Sequence, residues 1–111
     1  LGTGKPLREF LFSDDLANAI YCILKLSKKK ILKVTNGEFP ILNVGTGINI
    51  SVKNLARIIK SQINFKGNLK FNSKFPDGTM RKNLNSNKIK RLGWKPTINL
   101  KRGIKIILDQ N

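Results

Sequence analysis

Tyr21 and Lys25 stand four residues apart, the spacing at which a lysine one helical turn on can lower the pKa of a proton-donating phenol. Such a pair also needs a Ser or Thr upstream and a cofactor fold before it, and little chain precedes Tyr21. The pair is interleaved with the core-type positions Ile20, Ile23 and Leu24, so the pattern reads as coincidence and neither residue is assigned a catalytic role. Gly45-Thr46-Gly47 is a second candidate, as the start of a phosphate-binding loop. The dinucleotide fingerprint requires a third glycine where Ile50 stands, so a plain strand-to-helix turn is the better reading. There is no His, and the six Asp and Glu are scattered, which argues against a metal site or a nucleophilic triad.

Cations at the ends of elements remain. Arg8 opens an apolar run, and Arg81 with Lys82 follows a turn built on Pro76, Asp77 and Gly78. Arginine offers a planar fork to phosphate oxygens and lysine a point charge, so two such groups from separate segments can clamp a diphosphate. Solvated surface charge is the simpler reading of each one alone.

The elements that must position these residues alternate between strand and helix. Arg8 to Phe12 suits a strand, and Ser13, Asp14 and Asp15 then supply capping groups and negative charge for a helix start. Leu16, Ile20, Ile23 and Leu24 recur on one helical face, and Lys28-Lys29-Lys30 is placed at that helix's negative end. After the turn at Asn36-Gly37, Ile41 to Val44 reads as a buried strand ending at the glycine pair. Ser51 caps a helix with Val52, Leu55, Ala56, Ile59 and Ile63 on one stripe, closed at Lys66-Gly67. Leu69 to Phe71 suggests a further short strand, Ser86 to Gly93 a short helix, and Asn99 caps a last helix with Leu100, Ile104, Ile107 and Leu108 inward. Alternation of this kind predicts an α/β fold.

The chain has 111 residues, 22 Lys+Arg against 6 Asp+Glu, and a formal charge of +16. That balance suggests an anionic partner such as nucleic acid. AT-rich codons also encode Lys, Asn and Ile, so a low-GC genome supplies the same excess without selection for binding. Cys22, the single cysteine, lies among apolar residues and is expected to behave as a small buried hydrophobe. No apolar run reaches the roughly 18 residues of a membrane span, and the opening residues lack signal-peptide order, so a cytoplasmic location with no membrane contact is expected. The start at Leu1-Gly2-Thr3-Gly4-Lys5-Pro6 reads as the middle of a loop, and hence as part of a longer chain.

Four blocks in order carry a resemblance: Gly2-Thr3-Gly4-Lys5-Pro6-Leu7-Arg8-Glu9-Phe10-Leu11, Asp14-Asp15, Asn43-Val44-Gly45-Thr46-Gly47, and Pro76-Asp77-Gly78-Thr79-Met80-Arg81-Lys82. Together they resemble the GDP-L-fucose synthases, which are extended short-chain dehydrogenase/reductases, and the resemblance covers the whole chain. Leu92-Gly93-Trp94-Lys95-Pro96 with Gly103-Ile104 is similar to an ending that many extended members share. The resemblance implies that residues 1–111 are the C-terminal nucleotide-sugar-binding part of a Rossmann-type α/β fold. NADP would be bound by an N-terminal domain outside this chain, where the catalytic residues would also lie.

It further implies that Arg8 and Lys82 contact the nucleotide diphosphate, that Asp77 is a loop carboxylate at the nucleotide, and that Arg81 is adjacent. Leu1 stands where the family usually places a Trp against the nucleotide, Phe12-Ser13 replaces His-Val, and Met80 replaces a Pro. The intact enzyme would be a homodimer that converts GDP-4-keto-6-deoxy-D-mannose to GDP-L-fucose by epimerisation and reduction, and the 111-residue chain would be inactive alone. The competing readings are a piece of another NAD(P)-dependent nucleotide-sugar epimerase or dehydratase, and a small basic nucleic-acid-binding module.

Overall fold

A computed structural model describes residues 2–37 and 39–110. Its centre is a small sheet of two-residue strands, β1 (Leu7–Arg8), β2 (Ile50–Ser51) and β3 (Arg81–Lys82), in the order β2-β1-β3. β1 runs antiparallel to β2, with Leu7 opposite Ser51 and Arg8 opposite Ile50. It runs parallel to β3, with Leu7 beside Arg81 and Arg8 beside Lys82. The described residues also form five helices: α1 (Ser13–Leu24), α2 (Lys28–Val34), α3 (Val52–Gln62), α4 (Asn87–Arg91) and α5 (Leu100–Asp109).

Local chemistry sets several of these boundaries. The Ser51 hydroxyl accepts from Asn54 N at 3.2 Å and starts α3, while the Asn99 side chain accepts from Arg102 N at 2.9 Å and starts α5. Gly93, at φ 99°, ends the turn after α4 in a conformation that suits glycine. The helix expected to end at the lysine run stops earlier. Ser27 accepts from Lys30 N and begins α2, so Lys28 to Lys30 occupy a helix N-terminus and not the C-terminal position expected for them. α3 closes at Asn64, φ 56°, ahead of the expected Lys66-Gly67.

The strands are shorter than the apolar runs that announce them. Of the first run, Arg8 to Phe12, only Arg8 is paired, together with Leu7 before it, and among the described residues neither Ile41 to Val44 nor Leu69 to Phe71 is assigned to a strand. The buried apolar core is Ala19, Ile89 and Trp94, with Leu11, Ile23 and Val44 packed against it. It joins α1 to α4 and to the segment after α4. A side-chain bond from Gln62 Nε2 to Lys101 O, 2.8 Å, links α3 with α5.

Asp15 does not cap α1. Its carboxylate is buried and reaches across to Thr97 N (3.0 Å), Thr97 Oγ1 (2.8 Å) and Ile98 N (2.9 Å), fastening the start of α1 to the approach to α5. Burial alone would push this carboxyl up, but the Ile98 and Thr97 N–H groups and the Thr97 hydroxyl outweigh it and hold the group below its usual range. The expected inward face of α1 is largely open, since Leu16, Ile20 and Leu24 are exposed. Cys22 is exposed as well, contrary to the expectation of burial, because α1 turns Asp15 and Ala19 toward the core.

Candidate functional site

The site is built where the first residues meet the loop before β3. Leu7 N donates to Met80 O at 2.7 Å, which continues the β1–β3 pairing into that loop. Asp77 accepts from Thr3 N at 2.8 Å through one oxygen and from Thr3 Oγ1 at 2.5 Å through the other. The Thr3 hydroxyl and N–H hold the Asp77 carboxyl below its ordinary range against partial desolvation, and the charge of Lys5 adds to them. Gly2 lies at φ 69° directly against Asp77, where any Cβ would collide with the carboxylate. The Gly-Thr-Gly opening and the Pro-Asp-Gly turn, 74 positions apart, therefore form one unit.

Arg8 is anchored to the same turn. Its Nη1 donates to Leu7 O at 2.7 Å and to Thr79 O at 2.8 Å. The anchoring uses one guanidinium nitrogen and leaves Nη2 and Nε as a fork for an acceptor. Residues paired across a sheet share a face and successive residues alternate. The register therefore puts Arg8 and Lys82 on one face, and Arg81 on the other with Leu7 and Ser51. Both β3 cations are exposed. Of the site residues expected from sequence, Arg8, Asp77 and Lys82 come together, Arg81 is adjacent but faces away, and Leu1 lies outside the described residues.

The glycine pair is occupied by an acid. Glu9 Oε1 accepts from Gly47 N at 2.6 Å and from Thr46 Oγ1 at 3.3 Å, while Oε2 accepts from Leu84 N at 2.9 Å. A Cβ on Gly45 would lie 2.5 Å from Glu9 Oε1. Desolvation alone would raise the Glu9 carboxyl, but the bonds from Leu84, Gly47 and Thr46 prevail and lower it. A carboxylate on these donors repels a pyrophosphate, so the turn does not fit a dinucleotide such as NADP, in line with its reading as a plain turn. Tyr21 and Lys25 form a cation–π contact, with the ammonium 4.0 Å from the ring centroid and both residues exposed.

Thr3, Glu9 and Asp15 were not singled out from sequence as organisers of this region. Their partners lie tens of positions away, and no local period reports such pairings.

No family model matches the chain. Similar solved structures are nucleotide-sugar enzymes. A GDP-6-OMe-4-keto-L-xylo-heptose reductase from C. jejuni is 43% identical with a TM-score of 0.86, over 98% of this chain and 32% of that one. A GDP-mannoheptose C4 reductase from Campylobacter jejuni, solved with NADP bound, is 40% identical with a TM-score of 0.82, over 97% and 32%. The fold is thus the α/β arrangement found in one part of these short-chain dehydrogenase/reductase-type enzymes. Among curated sequences, GDP-L-fucose synthase 1 of Arabidopsis thaliana is 38% identical over 108 residues, 97% of this chain and 31% of that protein. The chain spans about a third of the length of the relatives it matches.

Proposed function

We propose that this chain is the C-terminal substrate-binding part of a GDP-sugar epimerase/reductase of the GDP-L-fucose synthase type. The observation that carries the reading is the register that sets Arg8 beside Lys82 while the Arg8 guanidinium is held over the Thr79 carbonyl. The pair would grip the diphosphate, with Arg8 supplying the fork and Lys82 the point charge. Because Arg8 is already fixed, little side-chain ordering is left to oppose binding. Asp77 would serve the nucleotide end chiefly by holding Thr3 and the Gly-Thr-Gly opening in place, with Arg81 at the edge of the site and Leu1 against the nucleotide.

The role of such a site is positional. Holding the nucleotide aligns the sugar with reacting groups carried elsewhere. NADP would be held by an N-terminal domain outside these residues, and the intact protein would be a cytoplasmic homodimer whose substrate is GDP-4-keto-6-deoxy-D-mannose. The 111-residue chain alone would be inactive.

A backbone amide NMR titration with GDP, and with UDP as control, tests the reading. Shifts confined to Arg8 and to Asp77 through Lys82, larger for GDP, are the expected result. A dispersed spectrum indifferent to GDP would overturn it, and a preference for UDP would point to a different nucleotide-sugar enzyme.

A further inference from the structure

The strands that carry the two cations are only two residues long, and such short pairings specify register weakly. A slip of one residue would put Arg8 beside Arg81 or past the end of β3, and would turn Lys82 to the other face. The Thr3–Asp77, Arg8–Thr79 and Leu7–Met80 bonds, with Val52 N on Pro6 O, hold the alignment on the side before Arg8, so what the ladder still needs is a tie on the side after it. The residue after Arg8 is placed to supply it.

Glu9 receives Gly47 N and the Thr46 hydroxyl from the turn leading into β2, and Leu84 N from the chain leaving β3. One carboxylate thus ties the end of β1 to the segments flanking both of its partners. The absence of a side chain at Gly45 lets the carboxylate reach these donors. We infer that Glu9 is the positioning residue of the diphosphate site: it fixes the register that sets Arg8 beside Lys82 and itself touches no ligand. This inference rests on the proposed reading of the site for its consequence in binding, but not for its structural claim.

The test compares the chain with its Glu9→Ala and Glu9→Gln variants by NMR and by GDP titration. In the unaltered chain, cross-strand contacts Leu7–Arg81 and Arg8–Lys82 should be seen, with the Leu84 and Gly47 amide protons shifted downfield by the carboxylate. Glu9→Ala should lose those contacts and raise the Kd for GDP about tenfold or more, while the Asp15-bonded amides of Thr97 and Ile98 stay in place. Gln presents one oxygen and one NH₂, so it can keep only one of the two ties, and a loss of about threefold is expected. If Glu9→Ala fails to fold, Glu9→Gln decides by the same readouts.

Intact cross-strand contacts with an unchanged Kd in the folded variant would overturn the inference. If the unaltered chain ignores GDP, the proposed function fails on its own, and the cross-strand contacts in the variants still decide the role assigned to Glu9.

Discussion

At the scale of single residues, carboxylates act here as internal fasteners. Glu9 and Asp15 each accept from two backbone N–H groups and a threonine hydroxyl, and Asp77 from one N–H and a threonine hydroxyl. Asp15 is the most buried of them, and Asp15→Ala would strand three donors, for a loss of about 2–3 kcal/mol of stability. The pH dependence follows from the direction of the shift. A carboxyl lowered in the folded state stabilises fully above its unfolded value, and that contribution fades as pH falls through the folded value. Stability should therefore be flat from neutrality to about 4.5 and decline first with Glu9 and then, below 3.8, with Asp15. Thermal melts of the chain and of Asp15→Asn over that range check this, and the variant should start lower and show a shallower acid decline. From the sequence, Asp15 looks like a first-turn acid at a helix start. Its true partners lie 82 and 83 positions on and leave no local trace.

Among the elements, the starts of α3 and α5 and the stop after α4 were legible, whereas the ends of α1 and α3 and the strand extents were not. Ser51, Asn99 and Gly93 act within a few residues of themselves, so their chemistry can be read in place. A strand is defined by its partner, and Ile41 to Val44 has the apolar character of one without a neighbouring strand among the described residues. The cation pair shows the same division. Arg8, Arg81 and Lys82 were all visible as candidates, but only the pairing register separates Lys82 from Arg81. Arg8→Ala and Lys82→Ala should each weaken GDP binding by about tenfold, the scale of a lost charge-assisted bond, while Arg81→Ala should change it less than about twofold. Titration calorimetry at low salt measures all three, and an equal loss for Arg81→Ala would refute the assignment of faces.

For the whole molecule, sequence and structure diverge in the amount of core. The chain's radius of gyration is 17.4 Å, against about 13 Å for a compact domain of this length. Its accessible surface is 8445 Å², where scaling for a folded monomer gives about 6,200 Å². The thinnest dimension is 16 Å, room for no more than about two layers of secondary structure. Apolar residues that the periodicity marked as core lie open instead: Leu24 is 77% exposed and Ile20 52%, with Phe39 at 84% and Ile41 at 70% nearby in sequence to the unpaired run. Large apolar side chains exposed in this number call for a covering surface, and in the proposed enzyme the cofactor domain would supply it. The 111-residue chain by itself should therefore bind a hydrophobic dye and associate increasingly with concentration, despite the self-repulsion of a +16 charge. Leu24→Glu should reduce both dye binding and association while changing stability by no more than about 0.5 kcal/mol, because the side chain loses almost no buried contact. Light scattering across a concentration series, paired with thermal melts, checks the two effects separately. A monodisperse monomer that ignores the dye would show that the chain covers these apolar side chains by itself in solution.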